Sequence, residues 1–322
     1  MIAGLEIKGS VMPRFTHFTH WGLFFAALLI SAAGWTLEKN VTNLLPKDAA
    51  QAQAIKQKAD AGDAEAQYIV GMVYRLDVVK NTENMKTAIE WIRKSAEQGY
   101  AAAQNSLGML YVSGVGLAQS DMQGFGWVQK AANSNDAIAQ YNLSMMYLAG
   151  IGVKADENKA FELAKKASDQ KLVQAQVLLA GMMLDGRGAR QDRNGALALY
   201  RQAAQTEFPE AMYRYGVAMG SEEAKRKEAV IWIQKAARAN FPEAQFMMGL
   251  LAYDVDNDGK NRDVVSAYQW FTLAAKNTKD DDLRLVVADA LADLKKEMTA
   301  AQVKQGQAKV DTFKPVNNYR PK

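Results

Sequence analysis

The 322-residue sequence predicts an all-α solenoid built from one repeated helix–turn–helix unit. The first observation behind this is a recurrence. An Ala, usually followed by Gln, stands at Ala66, Ala103, Ala139, Ala175, Ala211 and Ala244, with spacings of 37, 36, 36, 36 and 33 residues. The second is a fixed pair of residue sizes downstream of each Ala. A bulky apolar residue comes four places on (Val70, Leu107, Leu143, Leu179, Tyr215, Met248) and a small one five places on (Gly71, Gly108, Ser144, Ala180, Gly216, Gly249). The third is a second half carrying W-x-x-K-A-A or a relative of it, at Trp91, Trp127, Leu163, Leu199, Trp232 and Trp270. Apolar residues four apart share one face of a helix. Neither half can bury its apolar stripe alone, so stacked copies must bury it jointly.

Taken in order, the chain opens with a mildly basic lead, residues 1–17, containing Lys8 and Arg14. Phe18–Leu37 then carries no charge, about the length of one membrane crossing, with Trp21 and Trp35 near its ends. It reads as a retained anchor, as a cleaved signal, because Gly22–Ile30 is short and Ser31-Ala32-Ala33 supplies small residues for cleavage, or else as a buried helix of the soluble domain, the first two being the leading readings. Either leading reading puts the rest of the chain outside the cytoplasm, since the basic residues lie upstream. The domain plan is 1–37 lead and anchor or signal, 38–47 linker, 48–312 solenoid and 313–322 disordered tail.

Within the solenoid, Asp48–Ala61 reads as a helical half-repeat that caps the N-terminal end. Six repeats come next, at about 64–99, 101–135, 137–172, 173–208, 209–240 and 242–277. The Gly-x-Gly loops Gly114/Gly116, Gly150/Gly152 and Gly186/Gly188 end the first helices of repeats two to four. Asp156, Asp192 and Asp263, with Asn84 and Ser120 at matching places, are expected N-caps of the second helices. Residues 281–312 form a C-terminal cap of two helices: Asp281–Glu297, then one opened by Thr299 as N-cap with Gln302 at the capping-box position.

Composition narrows the function classes. A net charge of +4 gives no basis for expecting nucleic acid. No cysteine is present, which removes disulfides and thiolate chemistry. The two histidines, His17 and His20, precede the apolar segment, so the repeats have none for nucleophilic catalysis or metal ligation. Asp185-Gly186-Arg187-Gly188 lacks the Gly-Lys-Ser/Thr ending of a phosphate loop. No catalytic residue and no cofactor are expected. Asp254, Asp256 and Asp258 copy the first half of a calcium loop, but its twelfth place is Val265, where a bidentate Glu belongs. At best this is a weak calcium site; otherwise it is a solvated acidic turn.

A-x-A-Q-x-x-L-G-x-x-Y, G-x-G and W-x-x-K-A-A in this order make Lys58–Ala275 resemble the Sel1-like repeats, a branch of the tetratricopeptide-type solenoids. Repeats one, five and six depart from the pattern by lacking the Gly-x-Gly loop. The resemblance implies a right-handed superhelix whose first helices line the concave side, and members that mostly hold other proteins. The row two and six places after each Ala therefore offers two readings. Tyr68, Met72, Met109, Tyr141, Met145, Tyr213 and Phe246 either fill the space between successive first helices or form an exposed partner-binding groove. The functional expectation is a non-catalytic adaptor or regulator in the cell envelope. It would take a protein or peptide partner in that groove and touch the membrane through its N-terminal helix. The alternative is a scaffold subunit of an envelope polysaccharide or secretion machine.

Overall fold

The computed structural model describes residues 44–76, 83–253, 262–316 and 319, and among these it has fifteen α-helices and no strand. The apolar segment 18–37 and the acidic loop with Asp254, Asp256 and Asp258 lie outside the described residues. Among the described residues, no helix is long and apolar enough to cross a membrane. The chain divides into two compact units at Asp192/Arg193.

The N-terminal unit holds α1 (Ala49–Asp60), α2 (Ala64–Leu76), α3 (Glu83–Glu97), α4 (Ala101–Ser113), α5 (Asp121–Asn133), α6 (Ala137–Ala149), α7 (Glu157–Asp169) and α8 (Val173–Asp185), each packed on the next. Caps set the boundaries. Asp48, Ser120, Asp136 and Asp156 each accept a backbone N–H three residues on, satisfying donors that the first turn cannot pair. Asn84 is not a cap: α3 begins at Glu83 and takes it in. Gly114, Gly150 and Gly186 stop α4, α6 and α8 in the left-handed region. The second glycine of each loop has a different job. A Cβ on Gly152 would lie 2.2 Å from the Asp121 carbonyl oxygen, and one on Gly188 2.1 Å from that of Glu157. The loop of one repeat thus seats directly on the second helix of the repeat before it.

The C-terminal unit holds α9 (Arg193–Ala204), α10 (Pro209–Gly220), a 3₁₀ turn (Glu223–Lys225), α11 (Arg226–Arg238), α12 (Pro242–Tyr253), α13 (Val264–Asn277), α14 (Asp281–Glu297) and α15 (Ala300–Asp311). Both α14 and α15 pack on α13, forming the expected cap. Asp263 and Asp280 cap α13 and α14, and Thr299 with Gln302 forms the capping box of α15. Phe246, Phe271, Val287 and Leu294 close the apolar end.

Three motif positions acquire physical reasons. Small residues at the fifth place admit the second helix of the same repeat. A Cβ on Gly71, Gly108, Gly216 or Gly249 would meet Ile92, Val128, Ile233 or Phe271 at 2.4–2.7 Å. In repeat three the pair is inverted: Ser144 stands at the small place, the buried Ala164 occupies the position of Val128, and the Ser144 hydroxyl donates to the Ala160 carbonyl at 2.6 Å. The Gln after the Ala joins neighbouring repeats. Gln67, Gln104 and Gln245 donate through Nε2 to the carbonyls of Ala59, Ala96 and Ala237, at the end of the preceding second helix, at 3.1–3.2 Å. These carbonyls belong to the last helical turn, which lacks intrahelical donors. The Lys of W-x-x-K lies over the ring of its own Trp: Lys94 on Trp91, Lys130 on Trp127 and Lys235 on Trp232, at 4.2–4.7 Å.

The turn into each new repeat also repeats its backbone. Gly62, Gly99, Asn135, Lys171, Glu207 and Asn240 all have φ between +60° and +98°. Gly and Asn suit this region, whereas Lys171 and Glu207 carry a Cβ that is strained there.

Candidate protein-binding site

The row two and six places after each Ala is packed inside the fold. Tyr68, Met72 and Met145 are 2% exposed, Tyr141 and Phe246 8%, and Met109 9%. Tyr213 is half-buried. The Tyr68 hydroxyl pairs with Ser106 of the next first helix at 3.2 Å, and its ring lies 5.4 Å from that of Tyr100. Tyr213 stacks on Phe241 and Phe246 on Phe271. Six of the seven side chains are thus too buried to line an exposed groove; they pack against neighbouring helices of the fold. A first helix is packed between its own second helix and the second helix before it, so it has no free apolar stripe. The signal was in the sequence: α4, α6 and α8 are apolar nearly all round, as buried helices are.

The first helices are partly accessible at both ends, with Val73 and Leu76 exposed at the end of α2, and some of their N-terminal turns carry charge. Here the residue before each motif Ala is Glu in repeats one, five and six: Glu65, Glu210 and Glu243. In the C-terminal unit one of these pairs with a cation. Arg214 pairs with Glu210 one turn back on α10 at 3.3 Å, and both carry only partial exposure, 36% and 21% of their side chains. Glu243 opens α12 on the neighbouring first helix. Burial pushes its carboxyl up to about 7, the Glu210 charge adding to the shift and Arg214 opposing it. Burial likewise pushes the Tyr213 hydroxyl up to about 12. Phe208 and Phe241, each just before the Pro that opens α10 or α12, flank this cluster in the sequence.

A counterpart exists in the N-terminal unit. The Tyr100 hydroxyl is pushed up to about 12, by burial first and then by the Glu65 carboxylate. Burial also raises the Asp136 carboxyl, although it caps α6. Glu65 is exposed, whereas Asp136, Glu210 and Glu243 are half-buried; a half-buried carboxylate can receive a cationic side chain or an amine, because it already carries part of the desolvation cost. The sequence pattern held the glutamates and the F-P-E-A doublets. It did not show that Glu243 approaches Glu210 and Arg214, since it comes from the next repeat.

The segment after α15, expected to be disordered, also departs from that expectation where it is described. Phe313 packs edge-on against Trp270 at 5.7 Å, the Val316 N–H donates to the Arg238 carbonyl at 2.8 Å, and the Tyr319 ring lies 5.0 Å from that of Phe208.

The Sel1 repeat model matches this chain six times, at residues 64–100, 101–136, 137–172, 173–205, 209–241 and 242–278. The chain belongs to the Sel1 repeat family. Members of the Sel1 repeat family generally mediate protein–protein interaction and are generally non-catalytic. Among solved structures, a Sel1 repeat protein from Oxalobacter formigenes is 25% identical, with a TM-score of 0.56, covering 91% of this chain and 87% of that one. A protective antigen of uropathogenic Escherichia coli is 23% identical, with a TM-score of 0.34 and coverage of 84% and 72%. An immunity protein from Pseudomonas aeruginosa is 18% identical, with a TM-score of 0.42 and coverage of 80% and 86%. A comparison with curated proteins gave no match.

Proposed function

We propose that this Sel1 repeat chain is a non-catalytic adaptor or regulator, exported to the cell envelope, that binds a protein partner on the accessible edge of its first helices. The observation that carries the reading is the cluster of Glu210, Arg214 and Glu243 on α10 and α12. Ionisable groups held half-buried in a fold that otherwise buries apolar residues are a poor choice for stability alone. They are a good choice for recognising a partner that brings a cation among aromatic anchors. Export rests on the uncharged segment 18–37 with Lys8 and Arg14 before it. Retained, that segment would hold the repeats at the periplasmic face of the inner membrane; cleaved, it would release them into the periplasm.

Photo-crosslinking in the cell tests the binding face. A crosslinking residue in place of Arg214 or Glu243 should trap one and the same protein, and one in place of the exposed Glu162 on α7 should not. Equal trapping from all three positions favours a scaffold embedded in a larger assembly. A reporter active only after export, fused after Lys47, should be active; activity of a cytoplasm-restricted reporter there overturns the export reading.

A further inference from the structure

The chain after α15 builds one wall of a cleft. It leaves the C-cap Thr312, lays Phe313 edge-on against Trp270 at 5.7 Å, and reaches α11, where the Val316 N–H donates to the Arg238 carbonyl at 2.8 Å. Beside it lies a cleft of about 470 Å³ between α11, α13 and α15. Trp270 is 9% exposed, so its ring shapes the cleft rather than offering a face for stacking.

The charges around this space have one sign. Arg238 comes from α11, Lys309 from α15 and Lys314 from the segment beyond it, and none of the described residues lining the cleft is a carboxylate. Among the described residues, neither Arg238 nor Lys314 has an ion pair, and the Lys309 ammonium donates to the Ser266 hydroxyl at 3.0 Å. Elsewhere in the same unit cations take carboxylates: Arg193 and Lys225 pair with Glu222, Arg214 with Glu210 and Arg262 with Glu297. Helix ends account for part of the charge in the cleft. The last residues of α11 and α15 lie here, and two helix C-termini together oppose about one of the three cations. The Asp263 carboxylate also acts on Lys309, but it is committed as the cap of α13, accepting the Ser266 N–H at 2.9 Å. Positive charge stays in excess, and a concave setting concentrates its field.

We propose that this cleft binds a phosphate monoester, with Arg238, Lys309 and Lys314 on its phosphoryl oxygens and the amides of Gln234 and Gln269 on hydroxyls of the group that carries it. A monoester suits the site better than a carboxylate on two counts. It carries a charge of about −1.5 to −2 near neutral pH, and its terminal oxygens number three, one for each of three cations arriving from separate segments. Gln269 gives its N–H to the Lys309 carbonyl at 3.3 Å, which leaves its amide oxygen to accept from a hydroxyl. The site shares no residue with the Glu210–Arg214–Glu243 cluster and stands independently of how that cluster is used. A soluble metabolite and a lipid headgroup present the same phosphoryl chemistry, so the test carries an arm for each.

Calorimetric titration of the full chain with glycerol 3-phosphate should show saturable binding, competed by inorganic phosphate and absent with glycerol. Arg238→Gln with Lys314→Gln should weaken it at least tenfold, while keeping the backbone carbonyl that holds the Val316 amide. Lys227→Gln with Lys304→Gln removes the same charge from exposed positions of α11 and α15 outside the cleft, and should change binding less than twofold. The second probe is dihexanoyl phosphatidic acid. Binding at least tenfold tighter than that of glycerol 3-phosphate, and equally sensitive to the cleft variant, assigns a lipid headgroup; equal or weaker binding assigns a soluble monoester. Failure of both probes to bind saturably overturns the proposal, as does a cleft variant that binds like the unaltered chain, or equal weakening by both pairs of substitutions. If circular dichroism shows that the cleft variant has lost helix, Lys314→Glu, beyond the last helix, is read in its place, with the same tenfold loss expected.

Discussion

At the scale of single residues, size complementarity inside each repeat is strict. Gly108 faces Val128, whereas Ser144 faces the space left by Ala164. Gly108→Ala places a methyl 2.6 Å from the Val128 side chain and 2.8 Å from the Gly124 carbonyl. The expected cost is about 1–3 kcal/mol, read by urea unfolding. Adding Val128→Ala should recover part of that loss, because the pair then imitates repeat three. The left-handed turn residues make the opposite prediction. Glu207 sits at φ 60° where Gly62 and Gly99 occupy the same place in other repeats. Glu207→Gly should raise stability by about 0.5–1 kcal/mol, the relief of strain exceeding the added freedom of the unfolded chain. An unchanged or lower melting temperature would refute this.

At the scale of helices, much was legible because helix ends are written in side chains. Ser120, Asp156, Asp263 and Thr299 cap where their spacing to the next apolar run predicts. Repeats of Ala-Gln fixed the register, and Leu143, 3% exposed, lies in the core as its spacing requires. The aromatic and Met row admits two readings in sequence because periodicity says which residues share a face, not whether that face is already covered by a neighbour. The left-handed turns at Lys171 and Glu207 were invisible, since neither residue advertises positive φ. The contacts of Phe313 and Tyr319 were also hidden, because a Pro- and Asn-bearing stretch reads as irregular whether or not it finds Trp270. The corrected row yields its own test. Tyr141→Ala with Tyr213→Ala removes two packed rings from first helices. It should lower the melting temperature by well over a few degrees, since truncating a buried aromatic costs about 3–5 kcal/mol.

At the scale of the molecule, the clearest expectation concerns pH. The Glu243 carboxyl titrates at about 7 in the fold against an ordinary value of 4.5. The folded state therefore holds this proton more tightly than the unfolded one, which sets the sign. The contribution to stability is complete below about pH 4.5, declines as pH rises towards 7, and is absent above that. Glu243→Gln keeps the neutral form at every pH. The variant should match the unaltered chain near pH 4.5 and be more stable by about 1–3 kcal/mol at pH 8, measured by denaturant unfolding. A difference independent of pH would place the carboxyl in water. Should a cationic partner bind at this cluster, its binding would release a proton and tighten between pH 6 and 8.

The Gln that reaches back to the preceding helix has a consequence for how such a chain changes length. Gln104 bonds Ala96, and Gln140 stands at the same place one unit later. The match of Gly108 with Val128 lies within one copy, while Gly152 and Gly188 seat on the second helix of the copy before, at equivalent places one unit apart. Excising residues 101–136 would join Tyr100 to Ala137 and offer Gln140 to the Ala96 carbonyl, with Asn142 brought opposite the Tyr68 hydroxyl in place of Ser106. Such a shortened chain should fold cooperatively with helix content reduced by one pair. A cut of equal length displaced by half a unit, removing 119–154, should not, because it parts each helix from the partner shaped to receive it. Gene duplication and loss can therefore act on this architecture in whole units, like links added to or taken from a chain, without new surfaces having to be invented at the splice.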